Sequence, residues 1–227
     1  MSSLLQNIFH IGFLPAFTVL NYTVSYFELV STLTGLLAVF LNARGKIINW
    51  FLGIISVLTA AILFYNAQLY ADLFLQIYFV ATNIYGWYLW RKNRIENIFL
   101  DVVYLNKFER KNWVISISLA YLVLLLFIRN VHILLPYYFP IPAAYPIVDS
   151  FIWVISMAGN ALSAKKKIES WYLWILVDTL APVVYYLKDL KFIGLEYLIF
   201  LGIAVYGLIE WRRMFKVNTN KDLLFEK

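Results

Sequence analysis

Seven segments of this chain are each long enough and apolar enough to cross a lipid bilayer as a helix. A span needs roughly 20 mostly apolar residues, because in lipid only a helix or a closed barrel satisfies its own backbone hydrogen bonds. The segments lie at about 26–43, 46–65, 70–91, 112–129, 146–164, 170–188 and 192–214. They predict an all-α integral membrane protein with seven transmembrane helices.

The composition excludes several other classes of protein. The chain is 63% hydrophobic and only 14% charged, which leaves too little polar surface for a soluble fold. The net charge of +6 comes mostly from short segments between the apolar runs, so it indicates membrane topology and no nucleic-acid partner. The chain has no cysteine, two histidines and no recognisable catalytic or phosphate-binding motif. We therefore expect no metal site, no cofactor and no enzymatic activity.

The N-terminal segment, residues 1–25, differs from the seven spans. Residues 8–20 are apolar, but they are few and are interrupted by Pro15, which favours an interfacial or partly inserted helix. An eighth span is the alternative. The segment lacks a charged start and a clear cleavage site, so it does not resemble a removed signal peptide.

Orientation follows from the distribution of lysine and arginine between the two sides of the spans. Of the 19 basic residues, 16 fall on one side and 3 on the other. Because basic residues concentrate in cytoplasmic loops, the C-terminus, including the tail at 216–227, is predicted to be cytoplasmic. The run AKKKIE at residues 164–169 is interpreted as a cytoplasmic topology anchor.

The chain also contains an internal repeat with an offset of 121 residues. Between residues 41 and 91, 15 of 51 positions are identical to those 121 further on, including Tyr-Gly and Trp-Arg pairs in register. The pattern predicts two parallel three-helix repeats, residues 26–94 and 146–215, joined by a linker helix within residues 95–145. A three-one-three arrangement is that of SWEET transporters, which favours a pathway opened by rocking one repeat against the other.

A carboxylate lies near the middle of the sixth predicted span. At helical spacing Trp171, Trp174, Asp178, Pro182 and Tyr185 share one face, so a charge is placed within an aromatic stripe. A charge facing lipid is costly, so this face should point into the bundle or a wet cavity. The stripe suits a flat cationic ring, held by stacking and by the counter-charge. The alternative is that the acid pairs with a polar neighbour and the tryptophans only pack.

The repeat favours the first interpretation. The first-repeat counterparts of Trp171, Trp174 and Asp178 are Trp50, Gly53 and Val57, so the acid and the second tryptophan occur only once. A binding site for one asymmetric molecule needs only one copy.

Other polar residues lie within the spans and are either substrate contacts or bridges between helices. Helix five has a polar line at helical spacing, formed by Asp149, Trp153, Ser156, Asn160 and Ser163. Helix three carries Gln76 and Asn83, and helix seven carries Glu196 about one turn inside. We expect Gly86 and Gly207, in the sequences YGW and YGL, to allow close helix packing.

From about residue 26 onward the chain resembles the Pnu family of bacterial vitamin transporters. The resemblance is carried by ADLFLQIYFVATNIYGWYLWR, by KKKIESWYLWILVDTLAPVVYYLKDL and by the closing pattern YGxxEWR. It implies uptake of nicotinamide riboside or a related B vitamin by facilitated diffusion across the bacterial cytoplasmic (inner) membrane. It also implies a homotrimer and a cytoplasmic kinase that traps the vitamin after entry.

The family's Trp-x-x-Trp pattern corresponds to Trp171 and Trp174, with Asp178 following, so the resemblance and the helical spacing select the same face. The candidate substrate-binding residues are Trp171, Trp174, Asp178, Asn160, Asn83, Gln76, Glu196, Tyr185 and Trp153. The chain departs from the family pattern at Asn83, Asn160 and Glu196, so thiamine is the alternative substrate. A membrane receptor or scaffold without flux is the alternative class of function.

Overall fold

The computed structural model describes residues 10–19, 22–66, 70–95, 101–143, 145–187 and 191–225. Within them, two short strands precede seven long helices. The elements are β1 (Pro15–Val19), β2 (Tyr22–Ser25), α1 (Tyr26–Ala43), α2 (Ile48–Asn66), α3 (Tyr70–Ile95), α4 (Lys107–Leu134), α5 (Pro146–Ala164), α6 (Glu169–Leu187) and α7 (Lys191–Phe225).

Six of these helices are long and apolar enough to cross a membrane: α1, α2, α4, α5, α6 and the part of α7 at Gly194–Asn218. They coincide with six of the seven predicted spans. The remaining helix, α3, is long enough at 26 residues, but Asp72, Gln76 and Asn83 reduce its mean hydropathy. The protein is therefore a mostly helical, multi-pass membrane protein, and the seventh span stays a prediction.

The helix predicted within residues 8–20 does not form at residues 15–19, whereas the interfacial position of the segment stays a prediction. Residues 15–19 form a strand that pairs antiparallel with β2, with Val19 opposite Tyr22 and Thr18 opposite Thr23, and of the described residues before this strand, 10–12 are helical. Aromatic and β-branched side chains dominate the two strands, and such residues favour a pleated pair over a helix. A strand at this position is incompatible with an eighth helical span over residues 8–20.

The hairpin leads directly into α1 through a capping box. The Ser25 side chain accepts a hydrogen bond from the Glu28 backbone N–H at 3.2 Å, and the Glu28 carboxylate accepts from the Ser25 N–H at 2.7 Å. This reciprocal pair satisfies two donors at the helix start and fixes where α1 begins.

The chain forms two compact units, residues 1–92 and 93–227. The predicted linker helix, α4, belongs to the second unit, where it packs against α5. In the first unit α1 and α2 are joined by reciprocal hydrogen bonds, from the Ser31 hydroxyl to the Ser56 carbonyl at 3.1 Å and from the Ser56 hydroxyl to the Ser31 carbonyl at 2.8 Å. Their counterparts in the second unit, Ile152 and Val177, belong to an apolar cluster with Ile155, Ala181 and Val184.

Both units contain the same cluster of two tryptophans and one glycine, 121 residues apart. Trp50 and Trp90 meet edge to face with ring centroids 5.4 Å apart, and Trp171 and Trp211 do so at the same distance. The first ring of each pair lies directly over Gly86 or Gly207, where an added Cβ would come within 2.6 Å of the indole. The prediction that these glycines permit close packing is confirmed, and the shared geometry supports the internal repeat.

Candidate functional site

The helix α6 turns the predicted face inward. Trp171, Asp178 and Ala181 are 0%, 3% and 0% exposed, whereas Tyr172 and Val183 on the opposite face are 39% and 60% exposed. A helix with one buried side and one apolar exposed side is expected where the outer surface meets lipid. The carboxylate therefore faces protein, as the cost of placing it in lipid requires.

The Asp178 carboxylate lies in apolar surroundings. Its neighbours along the helix, Val177 and Ala181, belong to the apolar cluster of the second unit. Within the described residues, the Asp178 side chain takes part in no hydrogen bond or ion pair. A buried charge without a partner is unfavourable by several kcal/mol, so this carboxyl group is either neutral or paired with a cation. A substrate that supplies the cation would be bound by the same interaction.

The environment of Trp171 is that of a packed core residue. Its ring is fully buried, packed over Gly207 and against the edge of Trp211. Trp50 holds the same position in the first unit, where the predicted acid is replaced by Val57. With no exposed ring surface, Trp171 is suited to packing α6 against α7 and unsuited to stacking on a ligand.

Trp174 retains the properties that stacking needs. Its ring is only partly buried, and one edge lies against Gly159 of α5, where an added Cβ would be 3.2 Å from the indole Cε2. Asn160, the next residue of α5, is also partly buried. The absence of a side chain at Gly159 therefore lets the ring approach α5 closely.

The first repeat fills the corresponding positions differently. Gly53 takes the place of Trp174, and the Asn83 amide lies close to it, since an added Cβ on Gly53 would be 2.8 Å from Asn83 Oδ1. The counterpart of Asn83 in the second unit is Ala204, which is fully buried. The second repeat thus has a large ring, Trp174, where the first has Gly53. At the other position of the pair, the second repeat has the small Ala204 where the first has the polar Asn83.

Two further candidate residues, Tyr185 and Glu196, lie near one aromatic stack. Tyr185 of α6 stacks on Tyr197 of α7, with centroids 5.3 Å apart and ring planes at 15°. Glu196 precedes Tyr197 in the chain and is partly buried. One face of Tyr185 is therefore already occupied by protein, so its part in binding is limited to its other face or its hydroxyl.

The polar residues of α3 belong to the first unit. Gln76 and Asn83 are 8% and 7% exposed. Each carries a side-chain amide that can both donate and accept hydrogen bonds. Buried amides normally have partners, and these two stay candidates for binding a polar ligand. The remaining candidate, Trp153 of α5, is partly buried.

The described residues contain no group of three or more histidine, cysteine, aspartate or glutamate side chains that could hold a metal ion. Sequence reasoning overlooked one residue beside the site, Gly159. The sequence signal for Gly159 was that a small residue stands next to Asn160 on the polar line of α5. The ring of Trp174 from α6 needs space at this position.

Comparisons with known proteins agree with this architecture. A sequence model of the family described as nicotinamide mononucleotide transporter matches residues 25–213. The chain is 33% identical over 209 residues to the nicotinamide riboside transporter PnuC of Escherichia coli (strain K12), covering 84% of this chain and 87% of that protein. It is 21% identical over 198 residues to the riboflavin/roseoflavin transporter RibM of Streptomyces davaonensis, covering 86% and 89%.

The fold is similar to a crystal structure of the vitamin B3 transporter PnuC, with a TM-score of 0.60 and 24% identity over 84% of this chain and 82% of that one. The predicted resemblance to the Pnu family is thereby confirmed. The family consists of membrane transporters and not of enzymes. The chain therefore belongs to the nicotinamide mononucleotide transporter family.

Proposed function

We propose that this protein is a facilitative transporter for a vitamin with a flat cationic ring, with nicotinamide riboside as the first candidate. The observation that carries the proposal is the buried Asp178, which has no partner among the described residues and lies on the same face of α6 as the partly exposed Trp174. The pyridinium of nicotinamide riboside supplies both a positive charge and a planar ring. The relatives named as nicotinamide riboside transporters support the same substrate.

The roles of the side chains follow from their burial. Trp174 stacks on the ring, which is worth about 0.5 to 2 kcal/mol for a cation over an indole. Asp178 balances the charge, and Asn160 forms hydrogen bonds with the polar part of the substrate. Trp171 acts indirectly, because it packs the start of α6 against α7.

Gln76 and Asn83 of the first repeat stay candidate substrate-binding residues, as the sequence pattern predicts. Glu196, Tyr185 and Trp153 are secondary candidates. The duplicated sequence favours transport by movement of one three-helix repeat against the other. This proposal also includes the cytoplasmic C-terminus, the homotrimer, the location in the cytoplasmic membrane and the cytoplasmic kinase that traps the vitamin.

Thiamine is the second candidate substrate. Its thiazolium also combines a planar ring with a positive charge, and Glu196 beside the Tyr185–Tyr197 stack offers a second acid for an aminopyrimidine. Riboflavin, which a more distant relative is named for, has a neutral ring and would leave Asp178 without a counter-charge. The site geometry therefore favours the two cationic vitamins over the neutral one.

Calorimetric titration of the purified protein with nicotinamide riboside, thiamine and riboflavin tests the proposal. We expect nicotinamide riboside to bind, riboflavin to bind weakly or not at all, and Trp174→Ala to weaken the binding of nicotinamide riboside by about twofold to thirtyfold. Asp178→Asn should weaken the binding of the cation by at least tenfold and reduce the preference for a cationic over a neutral ring.

Matched controls separate these effects from general damage. Trp113→Ala removes another partly buried tryptophan of the second unit, and Glu210→Gln removes another acid of α7; neither should change affinity. Unchanged affinity in Trp174→Ala would refute the site. A folded wild-type protein that binds none of the three vitamins would refute the substrate class. Binding of a vitamin without its transport into liposomes would favour the alternative function, a membrane receptor or scaffold.

A further inference from the structure

The segment before α4, Asp101–Asn106, here called the strap, lies along the loop between α5 and α6. The Val103 N–H donates to the Lys166 carbonyl at 3.1 Å, and the Ile168 N–H donates to the Val103 carbonyl at 3.0 Å, forming a short parallel bridge. Val102 and Leu105 are only 4% and 6% exposed. The strap is therefore packed into the second unit and is not a loose connection.

The first residue of α6, Glu169, joins the strap to this helix. Its two carboxylate oxygens accept from the Leu105 N–H at 3.1 and 3.0 Å, and one of them also accepts from Arg110 Nη2 at 3.2 Å. A second ion pair runs in the opposite sense, from Lys167 Nζ to both oxygens of Glu109 at 3.0 Å. The start of α6 is thus held by α4 as well as by the strap.

The strap also contacts the far part of α7. The Asn218 side-chain amide donates to Asp101 Oδ1 at 2.7 Å, and Tyr104 meets Phe215 edge to face with centroids 5.2 Å apart. One six-residue segment therefore connects α4, the loop before α6 and α7. The lysine run, interpreted from sequence as a topology anchor, contributes directly to this connection through Lys167.

The corresponding loop of the first repeat keeps the turn but not the acid. Lys166 has φ of 51°, a left-handed conformation that its counterpart Gly45 adopts at 64°. Lys46 corresponds to Lys167, but Glu169 is replaced by Ile48, which is 49% exposed and cannot accept a hydrogen bond. The acid at the start of the second helix thus occurs only in the repeat that carries Trp174 and Asp178.

We propose that Glu169 is a positioning residue for the substrate site, because it fixes the start of the helix that carries Trp174 and Asp178. This inference rests on the proposed function. Trp174 and Asp178 lie five and nine residues beyond Glu169, about 7.5 and 13.5 Å along the helix axis. Motion at the start of α6 would therefore displace both side chains.

The hydrogen bond to Leu105 contributes more than the ion pair. The Arg110 side chain is 61% exposed, and exposed ion pairs contribute little. Leu105 is only 6% exposed, so removing the carboxylate leaves its N–H with a lost hydrogen bond that water does not readily replace. Glu169→Gln keeps an oxygen for the Leu105 N–H and loses only the charge. Glu169→Ala loses both, so the two variants separate the contributions.

The test combines hydrogen exchange with substrate binding. We expect the amides of residues 171–178 to exchange at least tenfold faster in Glu169→Ala, and within about threefold of wild type in Glu169→Gln. The affinity for nicotinamide riboside should fall about tenfold in Glu169→Ala, which corresponds to about 1.4 kcal/mol, and little in Glu169→Gln. Ile48→Glu, the counterpart change in the first repeat, is the matched control and should alter neither quantity.

Each outcome has a separate meaning. Unchanged exchange in Glu169→Ala would overturn the proposal whether or not the vitamin binds. If the wild type binds the vitamin, and Glu169→Ala shows faster exchange but unchanged affinity, then Glu169 has a purely structural role and the proposal is overturned. If the wild type binds no vitamin, the proposed function fails while the exchange result still decides the positioning role. If Glu169→Ala does not fold, Glu169→Asp, which keeps the charge but shortens the reach, should show the same changes at smaller size.

Discussion

Gly207→Ala is the substitution whose effect follows most directly from the structure. A Cβ at this position would lie 2.6 Å from the Trp171 ring, whereas ordinary contact begins at 3.4 Å, so ring and backbone must separate by about 0.8 Å. The ring is fully buried and locked against Trp211, so it has nowhere to turn. Overpacking of this kind costs about 1–3 kcal/mol.

The same helix provides a matched control. An added Cβ at Gly202 meets nothing within 4 Å. Gly202→Ala should therefore be neutral or stabilising by up to about 1 kcal/mol, because alanine has the higher helix propensity. Gly207→Ala receives the same propensity gain, so the difference between the two variants isolates the packing cost of about 1–3 kcal/mol.

The assay is thermal unfolding of both variants in the same detergent, followed by tryptophan fluorescence. For a chain of this size, about 1–3 kcal/mol corresponds to a difference of about 2–12 °C in apparent Tm. The apparent Tm of Gly86→Ala should be lowered by a similar amount, since its Cβ would also lie 2.6 Å from an indole, that of Trp50. If Gly207→Ala were as stable as Gly202→Ala, the packing described for Trp171 would be refuted.

Three further predictions concern other parts of the chain. Gly159→Ala should shift Trp174 by a few tenths of an ångström, since the added Cβ would lie 3.2 Å from its ring, and titration should show weaker vitamin binding with little change in Tm; unchanged affinity would contradict this. Burial and a hydrogen bond to a glutamate of α1 raise the pKa of Tyr22 from 10.0 to about 12. The neutral phenol therefore stabilises the hairpin below about pH 10, and this contribution is lost as the pH rises to about 12; Tyr22→Phe should remove that step from a plot of apparent Tm against pH. Glu109→Lys and Lys167→Glu should each lower Tm slightly, and the double variant should recover part of the loss, because the pair at 3.0 Å is restored in reverse whereas the hydrogen bond from the Asn106 N–H to Glu109 is not; additive losses would exclude the ion pair.

The sequence predicted the helices well because the constraint behind them is simple. A run of about 20 apolar residues has few structures open to it in lipid, and six of the predicted spans coincide with helices of the right length. The N-terminal hairpin was missed because Pro15 and a short apolar run fit an interfacial helix as well as a strand. Pairing between residues 15–19 and 22–25 depends on a turn and a register that hydropathy does not record.

The site was predicted in part. Helical spacing correctly placed Asp178 on the buried face of α6, because periodicity determines which residues share a face. Spacing could not distinguish Trp171 from Trp174, which lie on the same face. What separates them is the neighbouring helix: Gly207 and Trp211 bury the first ring, whereas Gly159 leaves the second partly open. The strap was missed because its hydrogen bonds use backbone groups of a loop and side chains that lie 64 and 117 residues away in sequence, and neither carries a local sequence signal.

Uptake of labelled nicotinamide riboside into liposomes that contain either the wild-type protein or Asp178→Asn tests the central claim most directly. The account predicts that the wild type lets the vitamin equilibrate with the outside concentration, and that Asp178→Asn slows this uptake at least tenfold while remaining folded. Uptake by the wild type no faster than by empty liposomes, or equal uptake by the two proteins, would contradict it.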